Sequence, residues 1–242
     1  MSKLKDALKK ARQSDGGRAL GFAPAAGKNH RGILVGIYTG PDFAAAKTGL
    51  GAGANFAVIH TDNGATAATA IAAAEAGDAF LGAHVGTLAE GDGEKLAEAG
   101  CAFVVVDPDK ALAAEAAHEG FGIVIPVDLA AEHRDLQTLS RLDLEAVVVP
   151  EEIGDISLTR QASLRRAATL TGQRLFVKVA VTVTESELEI LRDSGVGALL
   201  IPDSAPADAI EELIARIESL KPRKPEDDGR HISLGSQQTS ET

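Results

Sequence analysis

The sequence predicts a single (β/α)8 barrel, a TIM barrel, over residues 1–220, opened by an N-terminal helix and followed by a disordered tail over residues 221–242. Three observations lead there. Short apolar runs recur at intervals of roughly 20 to 25 residues, and each is unbroken rather than alternating, as strands buried on both faces read. A segment of helical character follows every run, and strict alternation means parallel strands joined by crossover helices. The length of 242 residues matches the size at which such a barrel forms one domain. Eight strand–helix units close the sheet and leave no edge; a doubly wound open sheet is the competing arrangement.

The elements follow in order. Residues 4–13 form an amphipathic helix placed to cap the barrel bottom, and residues 19–23 are an extra strand or plug before the loop 24–32. The strands are expected at 33–37, 56–59, 79–83, 102–106, 122–127, 146–149, 175–181 and 198–201. The helices that follow them are expected at 42–50, 66–76, 94–99, 110–118, 130–141, 158–171, 185–192 and 207–220. Gly77, Gly100, Gly120, Gly172 and Gly195 stand where left-handed helix stops belong. Residues 221–242 carry Pro, charge and Ser/Gln/Thr without an apolar period, the composition of a disordered tail.

Composition bounds the function. Hydrophobic residues make up 45%, enough for a large core, but aromatics only 3%, so Ala, Val, Leu and Ile must fill most of it. A net charge of −11 argues against nucleic acid or an anionic membrane as partner. A small-molecule substrate is the expected partner, and a homo-oligomer is compatible with the sequence. The one cysteine, Cys101, permits no disulfide within the chain, which suits a reducing compartment. The charged start lacks a signal-peptide core and no apolar stretch reaches membrane length, so the expected localisation is cytoplasmic.

Barrel active sites are built from the loops after the strands. There the chain places Tyr38, His60, Asp62, His84, Asp107, Asp128, Glu151 and Asp203. Asp128 and Asp203 also suit helix caps, whereas capping does not need His60 or His84. His60, Asp62, His84 and Asp107 are a mixed donor set for Zn, Mn or Fe, which makes a divalent metal a candidate cofactor, though no HxH or HExxH spacing supports it. Lys178 interrupts an otherwise apolar strand and shares a face with Phe176 and Ala180. An ammonium is costly on the helix-covered outer face, so Lys178 should point into the barrel. Burial favours its neutral, nucleophilic form, and a neighbouring acid such as Asp107, Glu151 or Asp203 favours an ion pair. Lys178, Asp107 and Glu151 are therefore the candidate catalytic residues; His60, Asp62, His84, Asp128 and Asp203 are the candidate substrate-binding residues.

The stretch Phe80-Leu81-Gly82-Ala83-His84-Val85-Gly86-Thr87, the helix over residues 94–99, the stretch Gly100-Cys101-Ala102-Phe103-Val104-Val105-Val106 and the stretch Gly122-Ile123-Val124-Ile125-Pro126-Val127 resemble the 2-keto-3-deoxy-6-phosphogluconate aldolase family. The resemblance covers about 50 residues and implies a (β/α)8 barrel. That family carries a Schiff-base lysine on its sixth strand, before a Phe-Pro; here the stretch reads Val147-Val148-Val149-Pro150, with Val147 at the lysine's place. The fold carries over and the lysine position does not. The phosphate clamp common after strands seven and eight uses backbone N–H groups on glycine-rich loops. The corresponding loops here, residues 182–186 and 202–206, hold prolines and acids and no glycine. The loop 27–32 is the one non-terminal basic cluster, an exposed turn or a flap over an acidic mouth. Three functions fit: a lyase or isomerase acting on a small carbonyl metabolite through Lys178, a metal-assisted hydrolase or lyase using the His/Asp set, and a non-catalytic assembly or regulatory subunit.

Overall fold

A computed structural model of the chain describes residues 2–15 and 32–221. Eight strands, β1 (Leu34–Thr39), β2 (Phe56–Asn63), β3 (Phe80–Thr87), β4 (Phe103–Val106), β5 (Gly122–Pro126), β6 (Ala146–Ile153), β7 (Arg174–Val179) and β8 (Val196–Pro202), close into a parallel barrel in chain order. Leu34 to Tyr38 of β1 pair with Ala198 to Pro202 of β8 and complete the ring. The helices are α1 (Lys3–Asp15), α2 (Ala44–Gly51), α3 (Gly64–Ala73), α4 (Asp92–Glu98), α5 (Ala113–Ala116), α6 (His133–Leu139), α7 (Leu158–Thr171), α8 (Glu185–Asp193) and α9 (Ala207–Ser219). None is long and apolar enough to cross a membrane. The run 19–23, the loop 24–32 apart from Gly32, and the tail beyond Lys221 lie outside the described residues.

Side-chain alternation divides the apolar residues into two cores. Ile33, Val35, Ile37 and their equivalents on the other strands face outward and meet the helices. Leu34, Phe56, Phe103, Val105, Val148, Phe176 and Leu200 face inward. Four of the seven phenylalanines fill the lower barrel: Phe56 stacks on Phe80 at 5.2 Å, Phe103 meets Phe56 and Phe176 edge to face at 5.6 and 5.9 Å, and Phe56 and Phe176 lie tilted at 5.8 Å. Two glycines make room for them. A Cβ on Gly36 would lie 2.3 Å from the Phe56 ring, and one on Gly82 would lie 2.4 Å from the Phe103 ring. Below this plug α1 closes the bottom with Leu4, Leu8 and Ala11, and Ser2 hydrogen-bonds Glu145 at the helix start.

Several elements differ from their sequence expectations. β2 and β3 run on to Asn63 and Thr87, paired through His60 with His84 and Thr61 with Val85, so His60, Asp62 and His84 lie on strands rather than in the loops beyond them. The helix expected at 110–118 shrinks to α5, because Ala111 bridges to Leu88 and the Leu112 N–H is spent on the Leu88 carbonyl. The helix expected at 130–141 begins late, because Asp128 turns the chain by accepting the Ala130 N–H at 2.7 Å. β6 runs on to Ile153 through a register shift between Val149 and Glu152. Pro150 lies inside that shift and has no N–H for a regular ladder. Gly172 ends α7 at φ +68°, as a left-handed stop. Gly120 is not among the left-handed glycines; its small size is needed instead because a Cβ there would meet Ala97 Cβ at 2.4 Å.

The plug makes a prediction. Gly82→Ala forces a methyl into the Phe103 ring, and overpacking a core of this kind costs about 1–3 kcal/mol. Urea unfolding should show that loss as a lower midpoint with an unchanged slope, and an unchanged midpoint would mean that the rings do not fill the barrel as described.

Candidate functional site at the barrel mouth

Above the phenylalanine plug, Val58, Val105, Val148 and Leu200 floor a cavity of about 50 Å³, walled by Pro126 and Pro150. Its polar groups are Tyr38 from β1, His84 from β3 and Lys178 from β7. Strand geometry brings them together. Tyr38 is two residues beyond Gly36, His84 two beyond Gly82 and Lys178 two beyond Phe176, so each continues the inward face one layer above the plug.

Tyr38 Oη and His84 Nδ1 share a hydrogen bond of 2.7 Å. The Lys178 ammonium lies over the Tyr38 ring, 4.5 Å from its centroid, within cation–π range. His60, exposed at the rim, stacks on Tyr38 at 5.9 Å and tilts against His84 at 4.9 Å. Burial pushes the Tyr38 phenol up to about 12. Burial, then the His60 and Lys178 charges, pushes His84 down to about 4. At neutral pH the pair is thus a protonated phenol against an uncharged imidazole. In the sequence Tyr38 stands at the mouth but outside the candidate catalytic and substrate-binding sets; its signal is that it is the one tyrosine of the chain, at the inward end of a strand.

The acids expected at the mouth are engaged elsewhere. Asp107 is exposed and pairs with Lys110 at 3.2 Å; the Asp109 N–H and Lys110 hold its carboxyl below the usual range. Glu151 pairs with Arg160 at 3.3 Å on the surface. Asp203 accepts the Thr39 hydroxyl at 2.7 Å and latches the end of β1 to that of β8. Asp62 is exposed beyond His60, and Asp128 is occupied by the Ala130 N–H. Glu152, the register partner of Lys178, is exposed as well. Among the described residues Lys178 forms no ion pair with a carboxylate, which corrects the ion-pair expectation. Nor are three or more His, Cys, Asp or Glu side chains grouped to hold a metal among those residues; His60 and His84 touch, but Asp62 and Asp107 do not join them.

The loops over the cavity are tied down from behind. Arg216 of α9 donates to the carbonyls of Val181, at 2.6 Å, and Val183, and Arg166 of α7 donates to those of Leu129 and Ala131 at 2.6 and 3.0 Å. Several N–H groups a phosphate would need are spent. Those of Val183, Thr184, Asp203 and Ala205 go to Ala180, Glu187, Tyr38 and Pro202, and Pro206 has none.

No family model and no curated protein matches the chain. Solved structures do. Tryptophan synthase from M. tuberculosis is 12% identical over 92% of this chain and 99% of that one, with a TM-score of 0.62. The tryptophan synthase alpha-subunit of Pyrococcus furiosus is 16% identical over 77% and 97%, TM-score 0.55. Native KDPGal is 17% identical over 76% and 91%, TM-score 0.52. At these identities the likeness shows the fold, and the resemblance to the aldolase barrels holds at that level.

The depressed value of His84 carries a sign. Between about 6.5, the ordinary histidine value, and about 4 the unfolded chain binds more protons at this position than the folded one. Folding is therefore penalised progressively as pH falls through that window. His84→Asn should flatten the fall in melting temperature from pH 7 to pH 4, and an NMR titration should find the His84 ring uncharged at pH 6; a ring that titrates near 6.5 would contradict the burial described.

Proposed function

We propose that the chain is a lyase or isomerase acting on a small carbonyl metabolite, with Lys178 as the nucleophile that forms a Schiff base. The carrying observation is a lysine inside a largely apolar mouth, in contact with a phenol and unpaired with any described carboxylate. A lysine held only for structure would be expected to have a carboxylate partner, since a buried charge left unpaired is costly. An amine in such a pocket is the usual nucleophile toward carbonyl compounds. The cavity of about 50 Å³ suits the reacting end of a short molecule, and the spent N–H groups of the loops after β7 and β8 speak against a phosphorylated one. His60 and His84 are the proposed substrate-facing groups. Asp107, Glu151, Asp62, Asp128 and Asp203 contribute as loop anchors and surface charge.

A second reading, an assembly or regulatory subunit that self-associates or binds a partner, draws support from the opposite end of the barrel. There a groove of about 600 Å³ is lined by Lys5, Lys9, Arg12, Arg165 and Arg174, with Glu145 and Asp193 among them. Sedimentation with and without acidic protein partners addresses that reading.

For the enzyme reading, the protein is incubated with a panel of short aldehydes, ketones and 2-oxo acids, reduced with borohydride and digested for mass spectrometry. The expected result is a stable adduct on Lys178, weaker or absent with phosphorylated compounds and lost in Lys178→Met. Wild-type protein that adds no carbonyl compound of the panel at Lys178 would overturn the reading.

A further inference from the structure

We infer that Tyr38, held and polarised by His84, is the acid and then the base of Schiff-base chemistry at Lys178; this rests on the reading of Lys178 as the nucleophile. A Schiff-base lysine needs a partner that delivers a proton to the departing oxygen and later removes one from carbon. The carboxylates that usually come to mind are unavailable here: Asp107, Glu151 and Asp203 are engaged by Lys110, Arg160 and Thr39. Tyr38 is the hydroxyl group lining the cavity, and its ring lies against the Lys178 ammonium at 4.5 Å. His84 is bound to its oxygen at 2.7 Å. His60 stacks on Tyr38, tilts against His84 and is exposed, which gives the pair a polar contact with solvent.

The steps balance without an added co-reactant. The Lys178 ammonium first gives one proton to water; the free amine adds to the carbonyl carbon, the π pair moves to oxygen, and an N–H proton follows it to give a carbinolamine. The Tyr38 hydroxyl then protonates the departing hydroxyl; the C–O bond breaks, water leaves, and the nitrogen lone pair closes the C=N bond of a cationic iminium. The phenolate left behind is stabilised by an N–H from His84 Nδ1 and by the iminium charge beside it. It takes a proton from the carbon next to the iminium, which restores the phenol and leaves a neutral enamine. His84 acts through Tyr38 and is a positioning residue. Its uncharged state at neutral pH, from burial and the His60 and Lys178 charges, is what allows one ring nitrogen to donate without becoming a competing acid.

The test uses full-length protein with propanal, acetone and pyruvate. Two rates are read: borohydride-trappable adduct at Lys178 against time, and exchange of the carbon-bound hydrogens of each compound with D₂O. Tyr38→Phe keeps the ring under the ammonium and removes only the hydroxyl. It should slow both rates about 10²- to 10⁴-fold, the ordinary yield of a positioned acid or base, with the same adduct at long times. His84→Leu should slow them similarly, and His84→Asn, which keeps an N–H donor near the Nδ1 position, should recover most of the loss. Tyr38→Phe reacting at the wild-type rate, or His84→Leu matching His84→Asn, would overturn the inference while leaving Lys178 as nucleophile. Wild-type protein that traps none of the three compounds would overturn both.

Discussion

The constraint on which the structure depends is that an eight-stranded barrel has an interior that side chains must fill. With aromatics at 3% of the chain, that filling is concentrated in a few places. Phe56, Phe80, Phe103 and Phe176 occupy the lower interior, and Gly36 and Gly82 yield the space for Phe56 and Phe103. Phe56, Phe103 and Phe176 are fully buried, and each contributes roughly 1.5–3 kcal/mol; Phe80 is half-buried. The same plug raises the floor of the mouth, so the next inward residues, Tyr38, His84 and Lys178, meet in a small and largely apolar space.

The electrostatics of the mouth follow from that floor. Desolvation dominates the shifts of Tyr38 and His84 and drives both toward their neutral forms. The acids that would have countered the lysine are drawn outward by nearer cations. Asp107 meets a lysine three residues on, and Glu151 meets an arginine on the following helix. The arginines that reach the loops, Arg166 and Arg216, bind backbone carbonyls and so fix loop position without drawing a carboxylate toward the mouth.

Much of this was legible in the sequence. An unbroken apolar run marks a strand buried on both faces, and a strand's period of two residues fixes which side chains share a face. The eight strands, their order and the inward direction of Lys178 follow from these two rules, and the cap by α1 follows from its helical apolar stripe. Loop residues obey no such period. Asp107, Asp128 and Asp203 follow a strand and Glu151 lies inside β6 just past Pro150, yet a turn, a cap, an ion pair or the shift at Pro150 decides where each carboxylate goes. Tyr38 obeys the strand rule and was legible in principle, but a single aromatic reads as core packing until its 2.7 Å bond to His84 is seen.

The central claim is that a carbonyl carbon bonds to Lys178 within this cavity, between the rings of Tyr38 and His84. The most direct measurement is a crystal structure of the borohydride-reduced protein after incubation with pyruvate or propanal. The account predicts continuous density from Lys178 Nζ into the space above Val58 and Leu200, with the Tyr38 hydroxyl facing the new carbon. Adducts confined to exposed lysines such as Lys47, Lys95 or Lys110, with Lys178 unmodified, would contradict it.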